Sequence, residues 1–159
     1  MSAHSEARLL ASEIAKNRTI LKGLYEELSE ALLQDLPKLG RSQRAAIMVA
    51  GIVESYYTCA ETVFLRISQF FENNLRPDRW HTDLLDHMTL EVSEVRPRVI
   101  SSDTFSDLSE LMRFRHFKRY YFSLAYDWER LDAIVHRLQR VHPNLDTELQ
   151  DFELLARDL

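Results

Sequence analysis

Apolar residues recur along the chain at steps of mostly three, four and seven, the spacing that lines one face of an α-helix. Over residues 5–36 the stripe is Leu10, Ile14, Leu21, Leu24, Leu28, Leu32 and Leu36, and Pro37 and Gly40 are expected to end it. Ser42 is a suitable N-cap for a second helix over 42–74. That helix is apolar over a wide arc, including Val49, Val53, Tyr56, Ala60, Val63, Phe64 and Ile67, so it is expected at the centre of the fold. A third helix is expected over 78–94, with Trp80, Leu84, Leu85 and Met88 inward, between Pro77 and the Arg96-Pro97 break. A fourth is expected over 103–122 and a fifth over 127–141, N-capped by Asp127. His142-Pro143-Asn144 is read as a further break before a short terminal helix. Short connections between long helices force neighbours to run antiparallel. The expectation is one all-α domain over residues 1–159, an antiparallel bundle of five to six helices.

Composition agrees with this pattern. The chain has 159 residues with only 3 Gly and 4 Pro, too few turn residues for many hairpins or βα loops. Its single cysteine, Cys59, excludes a disulfide framework and a cysteine-based zinc site within one chain. Cys59 reads as a small buried hydrophobe in a protein of a reducing compartment. The N-terminus is acidic and has no long apolar stretch, and no segment is apolar enough to span a membrane, so a cytoplasmic protein is expected.

The net charge is −5, which argues against a general cationic coat for nucleic acid. One segment departs from that balance. Residues 111–122 read Leu-Met-Arg-Phe-Arg-His-Phe-Lys-Arg-Tyr-Tyr-Phe, with no acid before Asp127. On a helix, Arg115, His116, Arg119 and Tyr120 share a face, while Leu111, Phe114, Phe117 and Tyr121 can turn toward the core. Arg113 and Lys118 add to the charge. Such a front suits phosphates, with aromatic rings beside it for stacking bases. It can equally be a solvated face neutralised by acids of neighbouring helices.

Other features weigh less. Arg76 with His81 and Arg137 with His142 repeat an arginine–histidine spacing of five, but Pro77 interrupts the first and Pro143 follows the second. Asp83 and His87, with His81 and Asp86 nearby, are better read as scattered polar residues of a surface helix than as a metal site, and no metal or cofactor is expected. Glu54 and Glu61 are seven apart on the second helix. They either face the basic segment and orient its arginines or sit at edge positions in solvent. Trp80 and Trp128 read as core or interface anchors.

The stretch from Arg113 through Tyr120-Tyr121-Phe122 to Asp127-Trp128-Glu129-Arg130-Leu131 resembles the signature segment of the HEPN superfamily, and more narrowly that of HepT-like ribonuclease toxins. Trp80-His81 with Leu84-Leu85, and Tyr56-Tyr57 through Glu61, are similar to the segments that precede it. The resemblance implies a homodimer with the signature lining a cleft at the interface, metal-independent cleavage of RNA, and a nucleotidyltransferase antitoxin that modifies a tyrosine near the signature. Carried over, Arg115 is the signature arginine, His116 the polar residue after it, and Tyr120 stands where the family has its histidine. Phe122 stands where the modified tyrosine falls, with Tyr121 beside it. The candidate catalytic set from the resemblance is Arg115, His116 and Tyr120; the charge of the segment adds Arg113, Lys118 and Arg119 as candidate RNA-binding residues, and the second helix adds Glu54 and Glu61 as candidate supporting acids. Histidine titrates near neutrality, whereas tyrosine is a poor base there. The resemblance therefore leaves two readings: a nuclease in which His116 supplies the imidazole, and a catalytically silent module that binds RNA or nucleotides.

Overall fold

The computed structural model describes residues 2–72, 80–121 and 125–159, side chains at 80–82 and 118–121 excepted. Helix α1 spans Ala3–Glu30 and buries Leu10, Ile14, Leu21 and Leu28. It does not end at Pro37. The chain widens into a π turn over Ala31–Asp35 and continues as the short α2, Leu36–Leu39, with Pro37 in its first turn. The wider turn gives the proline ring room against the preceding carbonyls, where a regular α turn would clash. Gly40 ends the run: its φ of 67° is left-handed, and its N–H bonds Leu36 O at 2.8 Å.

Helix α3, Gln43–Phe71, starts at Ser42, whose hydroxyl accepts from Ala45 N at 3.1 Å. Val49, Val53, Tyr56, Phe64 and Ile67 are fully enclosed in the core. Helix α4 spans only Trp80–His87, and so stops short of the expected residue 94. Arg96 accounts for this. Its side chain is buried and donates to the carbonyls of His87 (3.0 Å), Leu90 (2.9 Å) and Pro97 (3.1 Å) and to Glu72 Oε1 (2.7 Å). A guanidinium that collects the terminal carbonyls of a helix satisfies groups that another turn would otherwise have paired. A tight turn with Glu94 at φ 61° then brings Val92 against Arg96.

Helix α5, Ser102–Tyr121, is capped by Ser101, whose Oγ accepts from Thr104 N at 3.3 Å. Helix α6, Trp128–Arg157, is capped by Asp127, which accepts from Glu129 N at 3.0 Å. The break expected at His142-Pro143-Asn144 is absent, and α6 runs through it. Its buried stripe is continuous on both sides of the proline: Leu131, Ile134, Leu138 and Val141 before it, and Leu145, Leu149 and Phe152 after it. His142 is itself anchored, with Nδ1 2.8 Å from the Tyr56 hydroxyl and its ring stacked on Tyr25 at 4.3 Å. Packing on α1 and α3 outweighs the local penalty of about 3 kcal/mol for a proline inside a helix. Pro143→Ala is accordingly expected to stabilise the fold, by about 1–2 kcal/mol once the stiffer unfolded chain of the proline form is allowed for, read as a higher urea midpoint.

Cross-helix contacts give the register. Arg18 of α1 pairs with Asp146 and Glu153 of α6 while Tyr25 stacks on His142, and Glu13 of α1 meets Arg66 of α3 while Asn17 meets Cys59, so α1 is antiparallel to both. Asp107 of α5 receives Arg137 and Arg140 of α6, one helix again antiparallel to the other. One continuous core joins these helices. The described residues form an all-α bundle, and no described helix is long and apolar enough to cross a membrane.

Burial lowers the pKa of His142 from 6.5, against smaller opposing effects of Asp146 and Glu26. The unfolded chain then binds a proton more readily than the folded one. Stability is expected to be full above about pH 6.5 and to fall as pH drops through the unfolded value toward the lower folded one. Comparing denaturant midpoints across pH 5–7.5 with those of His142→Gln, which lacks this group, checks the assignment.

Candidate functional site

The basic segment lies on the C-terminal half of α5, which packs on α3 and α6. Leu111 and Phe114 are buried, as the helical spacing requires, and Phe117 is half-buried. Arg115 is not on the solvent front. It is 4% exposed and turned toward α3. Its Nη1 donates to Glu61 Oε1 at 3.0 Å and its Nη2 to Glu61 Oε2 at 2.8 Å, a bidentate pair between two buried side chains. Nη1 also reaches Thr58 Oγ1 at 3.3 Å, and the guanidinium lies 4.6 Å from the centroid of the Tyr57 ring. Tyr57, Thr58 and Glu61 occupy one face of α3 at i, i+1 and i+4, so these three contacts all come from a single helix. Burial, helped by Glu61 and opposed by Arg115, pushes the Tyr57 phenol well up, which keeps the ring neutral under the cation.

Glu61 therefore meets an arginine of the segment. Glu54 lies half-buried along an open groove of about 420 Å³ between α1 and α3, whose wall also holds Ile20, Leu24, Thr58 and Cys59. Thr58 thus joins the groove to the Arg115 seat. Cys59 is buried, its thiol pushed up to about 11 by desolvation and its S–H within 3.4 Å of Asn17 Oδ1, so it stays protonated at neutral pH.

On the outer side, His116 is exposed. Arg113 is exposed and pairs with Glu110 one turn earlier, an acid just outside the acid-free stretch. The side chains of Lys118, Arg119, Tyr120 and Tyr121, and Phe122 altogether, lie outside the described residues. So do the side chains of Trp80 and His81, and Arg76. Trp128 is half-buried, donates Nε1–H to Ser42 O at 3.3 Å, and carries Arg41 over its ring. Arg137 and His142 diverge, the first to Asp107 and the second into the core.

Sequence reasoning missed Tyr57 and Thr58 as parts of the Arg115 seat. It also missed Arg130 of α6, whose guanidinium lies 4.7 Å from the Phe117 ring centroid. The i, i+4 relation of Tyr57 to Glu61 was visible, but nothing local says that an arginine 54 positions later fills the space between α3 and α5.

An all-α bundle with a cationic, aromatic-backed segment on α5 fits a protein of the HEPN type. The chain matches the model of the HepT-like protein family over residues 46–155 and belongs to that family. No curated protein and no solved structure matches it.

Proposed function

We propose that the chain is a single-domain HepT-like protein that binds RNA along the basic segment of α5 and cleaves it without a metal, as the toxin of a pair with a nucleotidyltransferase antitoxin. The observation that carries this reading is the family match, which takes in the whole segment 113–122 together with Glu61, the acid seated on Arg115. In this reading two copies meet at the site in the cytoplasm, and Tyr121 is the tyrosine open to modification. The chemistry needs a base for the 2′-hydroxyl, an acid for the leaving 5′-oxygen, and cations for the charge that develops on phosphorus. His116, exposed on α5, supplies the imidazole. Arg119 and Lys118 add positive charge to the segment, and Arg115 supplies fixed charge from beneath.

A second reading has its own observation. Arg115 is buried in a bidentate pair, and Tyr120 stands at the histidine position, which together favour a module that binds RNA without cutting it. One experiment separates the two. Purified chain is incubated in EDTA with single-stranded RNA, and both complex formation and new 5′-hydroxyl ends are measured. Binding with cleavage supports the nuclease, binding without cleavage supports the silent module, and no binding at low salt overturns both.

A further inference from the structure

We infer that Arg130 of α6, held on the face of Phe117, is a phosphate-binding residue for single-stranded RNA that extends the site from α5 onto a second helix. The inference rests on the RNA-binding reading above and deepens it. Arg130 is exposed, and its guanidinium carbon lies 4.7 Å from the ring centroid of Phe117, the residue after His116 in the basic segment. The other arginines around α5 whose side chains are described pair with carboxylates: Arg113 with Glu110, Arg115 with Glu61, and Arg137 and Arg140 with Asp107. Among the described residues, no carboxylate pairs with Arg130. The nearest acid on its own helix face, Asp127, uses Oδ1 to cap α6.

This difference has chemical consequences. An aromatic face holds a guanidinium plane by electrostatics and stacking but takes none of its in-plane N–H donors. Those donors stay directed outward, where a phosphate can accept two of them at once. The ring also limits the rotamers of a long side chain, so less freedom is lost on binding. Beside Arg130 a small cleft of about 90 Å³ is walled by Phe114, Phe117, Tyr126 and Leu131. The cation therefore stands at the edge of an aromatic surface, the combination that single-stranded nucleic acid uses for backbone and base contacts.

The test measures fluorescence anisotropy of a labelled single-stranded RNA with the full chain over a series of salt concentrations. Arg130→Gln is expected to weaken binding about 5–10-fold at low salt and to flatten the slope of log K against log salt by about 0.7, the share of one phosphate contact on a single strand. Arg130→Lys is expected to recover part of the affinity, since it restores the charge without the fork. Arg137→Gln removes the same charge two turns along the same side of α6 and is expected to leave affinity within about twofold. The melting temperature of each variant is checked against the parent. If Arg130→Gln matches the parent in affinity and slope, the inference fails while the RNA-binding reading stands. Equal weakening by Arg137→Gln would reduce the effect to net charge and would also defeat it. No RNA binding by the parent removes the reading and the inference together.

Discussion

Glu61→Ala is expected to lower folding stability by about 3–5 kcal/mol, the loss typical when one partner of a buried ion pair is removed. The cause is less the lost attraction than what remains. Arg115 is 4% exposed and would lose the carboxylate that takes both of its Nη donors while staying against Tyr57 and Thr58 in the core. Arginine does not escape this cost by losing its proton. For a chain of this size the fall in melting temperature is roughly 10 °C. Arg115→Ala strands Glu61 in the same way, although a carboxylate can take up a proton, so its cost should be smaller and should shrink as pH falls. The paired change Glu61→Leu with Arg115→Met removes both charges and is expected to recover most of the loss, because well-packed apolar residues replace a buried pair nearly neutrally. Urea unfolding of the three variants provides the comparison. Equal stability of Glu61→Ala and the parent would show that the pair is not enclosed as described. The paired variant has a second use: as a folded protein without Arg115, it reports what Arg115 contributes to RNA binding, which Arg115→Ala alone confuses with unfolding.

His116→Ala is expected to reduce RNA cleavage by about 10²–10⁴-fold, the usual contribution of a general acid–base group, while changing RNA affinity only slightly. The side chain is exposed, so its removal should leave the fold intact, and the rate loss reports on chemistry. If the silent reading holds instead, the parent shows no rate to lose, and Tyr120→His should create one by placing an imidazole at the family's histidine position. Cleavage unaffected by His116→Ala, by Tyr120→His and by the paired Glu61–Arg115 replacement would place the chemistry outside this segment.

The helical stripes were legible because their signal is local. Leu10, Ile14, Leu21 and Leu28 recur at helical spacing and all are buried, and Ser42 and Asp127 cap the helices that their positions announce. The errors fell where a distant contact outweighed a local rule. Pro143 should break α6, yet His142 is tied to Tyr56 and Tyr25, and the apolar stripe continues beyond it. The third helix should run to residue 94, yet Arg96 folds back to take its last carbonyls. The candidate site shows the same division. That residues 111–122 concentrate positive charge on an aromatic-backed helix followed from spacing alone. That Arg115 points inward did not, because a helical wheel places a charged residue by its own polarity and cannot register Glu61 on another helix.

The sequence by itself determined the helical class, most helix starts, the central position of α3 and the location of the basic segment, since each follows from periodicity, capping chemistry or charge within a few turns. Only the tertiary structure decided which of the described cations of that segment are spent on carboxylates, and what joins them from another helix. Arg115 is held beneath the surface by Glu61, Arg113 is paired with Glu110, and Arg130 joins the surface from α6. The physical reason is that neutralising a buried charge requires a partner within hydrogen-bond reach, and in a bundle that partner comes from a neighbouring helix many residues away in the chain.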